Sequence, residues 1–252
     1  MYLHRYVLLS VLFLLSTTVA AETLTIAVAS NFSRPAQVLA ALYEKTSGHE
    51  VRVTTASTGK LYAQIENGAP FDILLAADSE RPRLLEESGV GVAGSRYTYA
   101  IGELVLWSAE ADLAGQDCYK QLSNLGNRKL AIANPVTAPY GVAAREALQA
   151  AGLWEDVQDN LVFGENISQT LHFVASHNAA FGLIATSQAA DSRLPDAACS
   201  WLIPPSMHRP IEQQVILLSR ASDNELAGDF MRYLRSQLAI DVIADHGYKV
   251  SR

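Results

Sequence analysis

Residues 54–82 read TTASTGKLYAQIENGAPFDILLAADSERP, and this stretch decides the fold class. Small polar residues at 57–60 are typical of a helix start, and we predict a helix over 61–67 that ends at a Gly-Ala-Pro sequence. The run FDILLA at 71–76 is apolar enough for a buried strand, and another helix is predicted over 80–88. Helices that alternate with buried strands at this spacing indicate an α/β fold with a largely parallel sheet.

The same alternation extends in both directions along the chain. Upstream, a strand at 24–29, a helix at 35–46 and a strand at 51–55 form a βαβ unit. Downstream, we predict a second α/β series with strands at 129–133, 161–163 and 181–185, helices at 141–151 and 168–177, and C-terminal helices over 224–238 and 239–245.

Two long strand-like segments, at 97–107 and 209–219, bracket the second series. We interpret them as paired hinge strands that connect two lobes. On this interpretation residues 22–98 plus 213–252 form lobe 1, residues 99–212 form lobe 2, and a ligand lies in the cleft between them. A single continuous doubly wound sheet is the alternative.

The first 21 residues have the features of an export signal. Arg5 precedes an apolar run that is shorter than the roughly 20 residues needed to cross a bilayer, and Val19 and Ala21 occupy the positions that a signal peptidase reads. We therefore predict that residues 1–21 are a signal peptide and that the mature protein is periplasmic. A buried N-terminal helix is the alternative interpretation.

Charge and cysteine content limit the possible partners. The full chain has a formal net charge of −7, and loss of Arg5 with the signal leaves −8 on the mature chain. This balance argues against nucleic-acid binding, which depends on clustered Lys and Arg, and we expect a soluble monomer. In an oxidising compartment Cys118 and Cys199 are either joined by a disulfide or remain two buried free thiols, and the sequence leaves both open.

Three strand-to-helix junctions, at 30–33, 57–60 and 134–141, are rich in small hydroxyl and amide residues. Ligands of α/β sheets bind beyond the carboxyl ends of the strands, where helix N-termini also point. The free N–H groups of a helix start attract an anion without any full positive charge, and hydroxyl groups there would add further donors. A plain helix cap is the alternative at each junction taken singly. Lys60 is the one basic residue inside these junctions. Its place in a first helical turn predicts that it points to solvent, and contact with the ligand is the alternative.

The sequence favours a binding protein over an enzyme. It contains no Gly-x-Ser-x-Gly elbow, Walker loop or Cys-x-x-Cys motif, and His172 and His177 are five residues apart, which does not place them on one helical face. Asp72 and Asp78 flank a buried strand. We expect Asp72 to lie at a strand edge and Asp78 to cap the following helix. No cofactor is predicted.

Several stretches together resemble the molybdate/tungstate-binding proteins of ABC transporters: AVASNFSRPA at 27–36, residues 54–82, SRYTYAIGELVLWS at 95–108, AIANPVTAPYGVAAREAL at 131–148 and FMRYLRSQLAIDVIADHGY at 230–248. The similarity runs through essentially the whole mature chain. It implies a two-lobed type II periplasmic-binding fold and delivery of the ligand to an ABC permease in the inner membrane. It also implies that molybdate or tungstate is held through its oxygens by hydrogen bonds alone, with no direct metal ligand.

The resemblance further implies a ligand site formed by Ser30, Asn31, Thr58, Tyr140 and Ile167, with Ser57 as an additional candidate. At Tyr140 and Ile167 the implied donor is the backbone N–H. Some family members carry a ligand-binding tyrosine where this chain has Ala185. Either another donor such as Asn31 replaces that tyrosine, or the specificity has shifted. The alternative function is a same-fold binding protein for sulfate, phosphate or a small organic anion.

Overall fold

The computed structural model describes residues 22–191 and 193–250, and its strands form two five-stranded sheets. The first sheet has the spatial order β2-β1-β3-β10-β4, where the strands are β1 (Thr23–Ala29), β2 (Glu50–Ala56), β3 (Ile73–Ala76), β4 (Tyr97–Gly102) and β10 (Ile211–Leu217). β1 is parallel to β2 and β3, whereas β10 is antiparallel to β3 and β4. Lobe 1 consists of this sheet with α1 (Ser33–Ser47), α2 (Thr58–Glu66), α3 (Glu80–Glu87), α8 (Glu225–Tyr233) and α9 (Gln237–Asp245).

The second sheet has the order β7-β6-β8-β5-β9 and forms the centre of lobe 2. Its strands are β5 (Leu104–Ser108), β6 (Leu130–Ala133), β7 (Leu161–Gly164), β8 (Phe181–Ala185) and β9 (Cys199–Leu202). The helices packed on it are α4 (Cys118–Leu122), α5 (Pro139–Ala150), α6 (Ile167–Ala175) and α7 (Thr186–Ala189). The two-sheet arrangement of strands and flanking helices confirms the predicted α/β class. Residues 1–21, and with them the predicted signal peptide, lie outside the described residues.

Local sequence explains the strands and helix ends that position the site. The strands β3, β6 and β8 are buried along their whole length, as expected for central strands covered on both faces. α1 ends at Gly48, whose φ of 75° places it in the left-handed conformation that glycine adopts most readily. α5 begins with Pro139, which lacks the N–H that a first helical residue leaves unbonded, and Asn166 caps α6 through its side chain.

The chain crosses between the sheets at two places that differ in detail from the predicted hinge strands. The segment predicted as one strand over 97–107 is two strands in different sheets, with only Glu103 between β4 and β5. β10 pairs with β4, but it stays within the first sheet, and residues 203–210 make the second crossing. The predicted lobe boundaries, at 98/99 and 212/213, therefore fall inside β4 and β10. Because the apolar pattern runs unbroken through 97–102 and 104–107, the sequence does not show where the strand partners change.

Cys118 and Cys199 form a disulfide, with their Cα atoms 5.4 Å apart. Of the two possibilities that the sequence left open, the disulfide is confirmed and the pair of free thiols is not. The bond joins α4 to the edge strand β9 in lobe 2, two short elements that were not predicted. The first C-terminal helix, predicted over 224–238, ends earlier, at Tyr233. The second begins earlier than the predicted residue 239, because Ser236 caps α9. Over the described part of the chain, no helix combines the length and apolar character needed to cross a membrane.

Candidate functional site

A small cavity lies between the two lobes. It is found where β1 and β2 end and where α2, α5 and α6 begin. All six residues named from the sequence line it, and its full lining is Ala29, Ser30, Asn31, Ser57, Thr58, Ala77, Ala138, Pro139, Tyr140 and Ile167. The three predicted junctions therefore converge on one point, and the start of α6 adds a fourth.

From lobe 1, Ser57 and Thr58 bring hydroxyl groups to this cavity. Both residues are almost fully buried, at 2% and 1% exposure. The Ser57 Oγ is buried and has no hydrogen-bond partner. The Thr58 Oγ1 accepts the Ala77 N–H at 3.0 Å, which uses a lone pair and leaves the hydroxyl hydrogen free to be donated. The start of α2 thus offers two hydroxyl donors in addition to its backbone N–H groups.

Asn31 contributes to the cavity differently from what the sequence suggested. Its Nδ2 donates to Gln213 Oε1 at 2.8 Å and to the Tyr248 hydroxyl at 2.9 Å, so both amide hydrogens are used inside lobe 1. The Tyr248 hydroxyl in turn donates to the Asn31 carbonyl at 2.9 Å. The side chain of Asn31 is therefore a structural anchor, and its amide does not replace the tyrosine that Ala185 lacks. The backbone N–H of Asn31 remains its means of reaching an anion.

Lobe 2 brings main-chain donors to the same cavity. Tyr140 is the second residue of α5 and Ile167 is the first residue of α6, and N–H groups at these positions have no acceptor within their own helix. The Tyr140 ring is buried, burial raises the pKa of its hydroxyl well above the usual value, and that hydroxyl has no partner. The Tyr140 hydroxyl lies against Gly102 at the end of β4, where a Cβ would come within 2.1 Å of its oxygen.

No charged side chain lines the cavity. Lys60 is not part of the lining: its side chain is 44% exposed and forms an ion pair with Glu165 of lobe 2 at the rim, so the structure places it outside the cavity. The starts of α2, α5 and α6 and the 3₁₀ segment Ser30–Phe32 surround the cavity instead, and N–H groups that a helix start leaves unbonded attract an anion. Such a site favours an anion through neutral donors, in a protein whose net charge is negative.

The two lobes are in contact around the cavity. The Gly59 N–H donates to the Thr137 carbonyl at 2.8 Å, and the Ser168 hydroxyl donates to the Ser30 carbonyl at 3.2 Å. Arg34 pairs with Asp191 farther along the same cleft. These contacts describe a closed arrangement, in which donors from both lobes face one enclosed space.

The carboxylates that flank β3 have separate partners. Asp78 Oδ1 accepts the Arg81 N–H at 2.9 Å, so it caps the start of α3 as predicted. Asp72 accepts the Thr25 N–H at 2.7 Å and pairs with Arg220 at 2.5 Å. Among residues 22–191 and 193–250, no group of three or more His, Cys, Asp and Glu side chains is arranged to hold a metal ion.

Comparison with known proteins gives consistent matches over nearly the whole chain. The family model for bacterial extracellular solute-binding proteins matches residues 24–249. The molybdate-binding protein ModA of Azotobacter vinelandii is 41% identical over 235 residues, which cover 93% of each chain. ModA of Rhodobacter capsulatus is 38% identical over 234 residues, covering 93% of this chain and 91% of the relative. The solved periplasmic molybdate-binding protein of Azotobacter vinelandii superposes with a TM-score of 0.85, at 34% identity, over 91% of this chain and all of that chain.

Proposed function

The chain belongs to the family of bacterial extracellular solute-binding proteins, and on this premise we propose that it captures molybdate or tungstate and delivers it to an ABC permease. In this proposal the mature protein works in the periplasm as a monomer. Ser30, Asn31, Thr58, Tyr140 and Ile167 bind the oxygens of the anion, with Ser57 as an additional donor. Molybdate is the ligand named for the relatives from Azotobacter vinelandii and Rhodobacter capsulatus, and tungstate is its chemical analogue.

The observation that carries the proposal is the composition of the cavity. Its lining offers hydroxyl groups and helix-start N–H groups from both lobes and contains no carboxylate. A fully deprotonated tetrahedral dianion presents acceptors alone, so it matches a lining that presents donors. The buried Ser57 hydroxyl, which has no partner within the protein, would gain one from such an anion.

The same composition argues against phosphate, which carries a proton near neutral pH and gains from an acceptor in its site. Sulfate has the same shape and charge as molybdate but is smaller. We expect it to bind more weakly because the closed cavity would hold it at longer donor distances.

Closure is the step that assembles this site. In the open state the hydroxyl donors of lobe 1 and the main-chain donors of lobe 2 are separated, and each half is hydrated. An anion that bridges both halves stabilises the closed state by its differential affinity for that state. The closed surface, which combines residues of both lobes, is then the form that the permease receives.

Isothermal titration calorimetry of the dialysed mature protein tests the proposal with molybdate, tungstate, sulfate and phosphate. We expect tight binding of the first two and weak binding of the others. Ser30→Ala and Thr58→Ala should each weaken molybdate binding by about 10-fold or more, because a hydrogen bond to a charged group contributes about 1.5–3 kcal/mol.

Thr46→Ala is the matched control, because its hydroxyl bonds only to carbonyls of its own helix, those of Leu42 and Tyr43, on the outer side of lobe 1. It should bind molybdate like the unmodified protein. Absence of heat with all four anions would refute the oxyanion function. Equal affinity in the Thr58→Ala and Thr46→Ala variants would refute the site.

A further inference from the structure

Gly59 lies where the two lobes come closest beside the cavity. It is the second residue of α2 and directly follows Thr58. Its N–H, which has no acceptor in its own helix, donates to the Thr137 carbonyl in the loop before α5, at 2.8 Å. One N–H of the α2 start is thus used between the lobes, while Ser57 and Thr58, just before it, line the cavity.

The space around Gly59 is restricted by the opposite lobe. A Cβ built on Gly59 would be 2.8 Å from the Thr137 carbonyl oxygen and 3.0 Å from its Cα, and both are main-chain atoms of lobe 2. Its nearest neighbour within lobe 1 is Arg81 Nη2 at 3.2 Å, the far end of a flexible side chain. A side chain at position 59 is therefore incompatible with the closed arrangement and compatible with lobe 1 alone.

The local backbone does not explain this glycine. Gly59 is helical and its φ is outside the left-handed region, in contrast to Gly48 and Gly68 at the ends of α1 and α2. In a helix alanine is more favourable than glycine, by up to about 1 kcal/mol at interior positions. The absence of a side chain therefore lowers the stability of α2, and the compensating benefit lies in the contact between lobes.

We propose that Gly59 is a positioning residue that sets how closely the lobes approach. Without a side chain at 59, the start of α2 and the 134–138 loop reach main-chain contact, which brings the donors of Thr58 and Tyr140 to one anion. Any larger residue holds the lobes apart and separates these donors. This inference rests on the proposed function, in that the anion is bound in the closed state.

The test compares Gly59→Ala with the control Gly228→Ala. Gly228 lies in α8, where a Cβ would meet only Arg232 Nη1 at 3.7 Å. Without anion, both variants should melt at or above the temperature of the unmodified protein. Molybdate affinity should be unchanged in Gly228→Ala and reduced by about 10-fold or more in Gly59→Ala.

Closure is measured independently of the anion by cross-linking Lys60→Cys to Glu165→Cys, since these residues pair across the rim. A short bismaleimide should link them several-fold more slowly when Gly59→Ala is added. Equal affinity and equal cross-linking in the presence and absence of Gly59→Ala would overturn the inference. So would a lower melting temperature of the anion-free Gly59→Ala variant, because the glycine would then serve the fold of lobe 1. Failure of the unmodified protein to bind molybdate would refute the proposed function, and the cross-linking rates would still decide the role of Gly59 in closure.

Discussion

Replacing Tyr248 by Phe removes one oxygen that takes part in three hydrogen bonds behind the cavity. The hydroxyl donates to the Asn31 carbonyl at 2.9 Å, accepts from Asn31 Nδ2 at 2.9 Å, and accepts from the Ser187 hydroxyl of lobe 2 at 3.1 Å. Tyr248 and Asn31 are both 5% exposed. Water therefore does not readily replace the lost oxygen, and the Asn31 carbonyl and one amide hydrogen are left without partners.

The expected loss of stability follows from these two orphaned groups. Each buried unsatisfied group costs about 1–3 kcal/mol, and we expect Tyr248→Phe to lower the free energy of unfolding by about 2–6 kcal/mol. In a chain of this size that corresponds to a fall of about 2–4 °C in melting temperature for each kcal/mol. Molybdate affinity should also fall, by about 10-fold, because Asn31 loses its anchor and its backbone N–H moves relative to the anion.

Tyr99→Phe is a closely matched control. The rings of Tyr99 and Tyr248 both pack edge-on against Phe32, with centroid distances of 4.9 and 5.3 Å. The Tyr99 hydroxyl is buried but has no partner, so its removal should leave stability unchanged or raise it by about 1 kcal/mol. Differential scanning calorimetry and molybdate titration of the two variants measure the difference. Equal melting temperatures would refute the assignment of stabilising hydrogen bonds to Tyr248, and unchanged affinity in Tyr248→Phe would refute the positioning of Asn31.

Two further predictions concern lobe 2 and the cleft. The Cys118→Ser, Cys199→Ser double variant should lose up to about 4 kcal/mol of unfolding free energy, measured in urea, because the disulfide closes a loop with a sequence separation of 81. The molybdate affinity of this double variant should be unchanged. Hydrogen bonds from Arg193, with a further one from Arg34 across the cleft, hold the pKa of Asp191 far below its usual range. Asp191 therefore stabilises the folded protein above its unfolded pKa of about 3.9, and this contribution is lost as the pH falls further. Calorimetry should show a lower melting temperature for Asp191→Asn than for the unmodified protein at pH 7. This difference in melting temperature should shrink as the pH falls below about 4. A difference that stays constant with pH would contradict the stabilising role of the Asp191 carboxylate.

The sequence predicted the α/β class because the central strands are buried on both faces and appear as short apolar runs between helix caps. It failed at the connection between lobes for a physical reason. Strand pairing is a long-range property, and nothing in the run 97–107 marks Glu103 as the residue where one sheet ends and the other begins. The edge strand β9 was missed because only one of its four residues is buried, so it lacks the apolar run that marks β3 and β6. The helix α4 was missed because its five residues are too few for a helical periodicity.

Prediction of the site depended on where its donors come from. Ser30 and Thr58 belong to recognisable strand-to-helix junctions, so their chemistry was evident from local sequence. Tyr140 and Ile167 were named only through family resemblance, because a backbone donor carries no side-chain signature. The side chain of Asn31 is held by Gln213 and Tyr248, which lie 182 and 217 residues away in the chain. A local sequence pattern contains no information on contacts of that range.

The backbone contact between Gly59 and Thr137 also bears on selectivity among anions of one shape and charge. Because main-chain atoms of the two lobes already meet there, the lobes cannot move closer to follow a smaller ligand. The distances between the lobe 1 donors and the lobe 2 donors are therefore fixed in the closed state. An anion that is too small contacts one set of donors well and the other poorly, and each weakened bond reduces its preference for the closed state. On the proposed function, size selection therefore needs no charged gatekeeping side chain, and the cavity lining contains no charged residue.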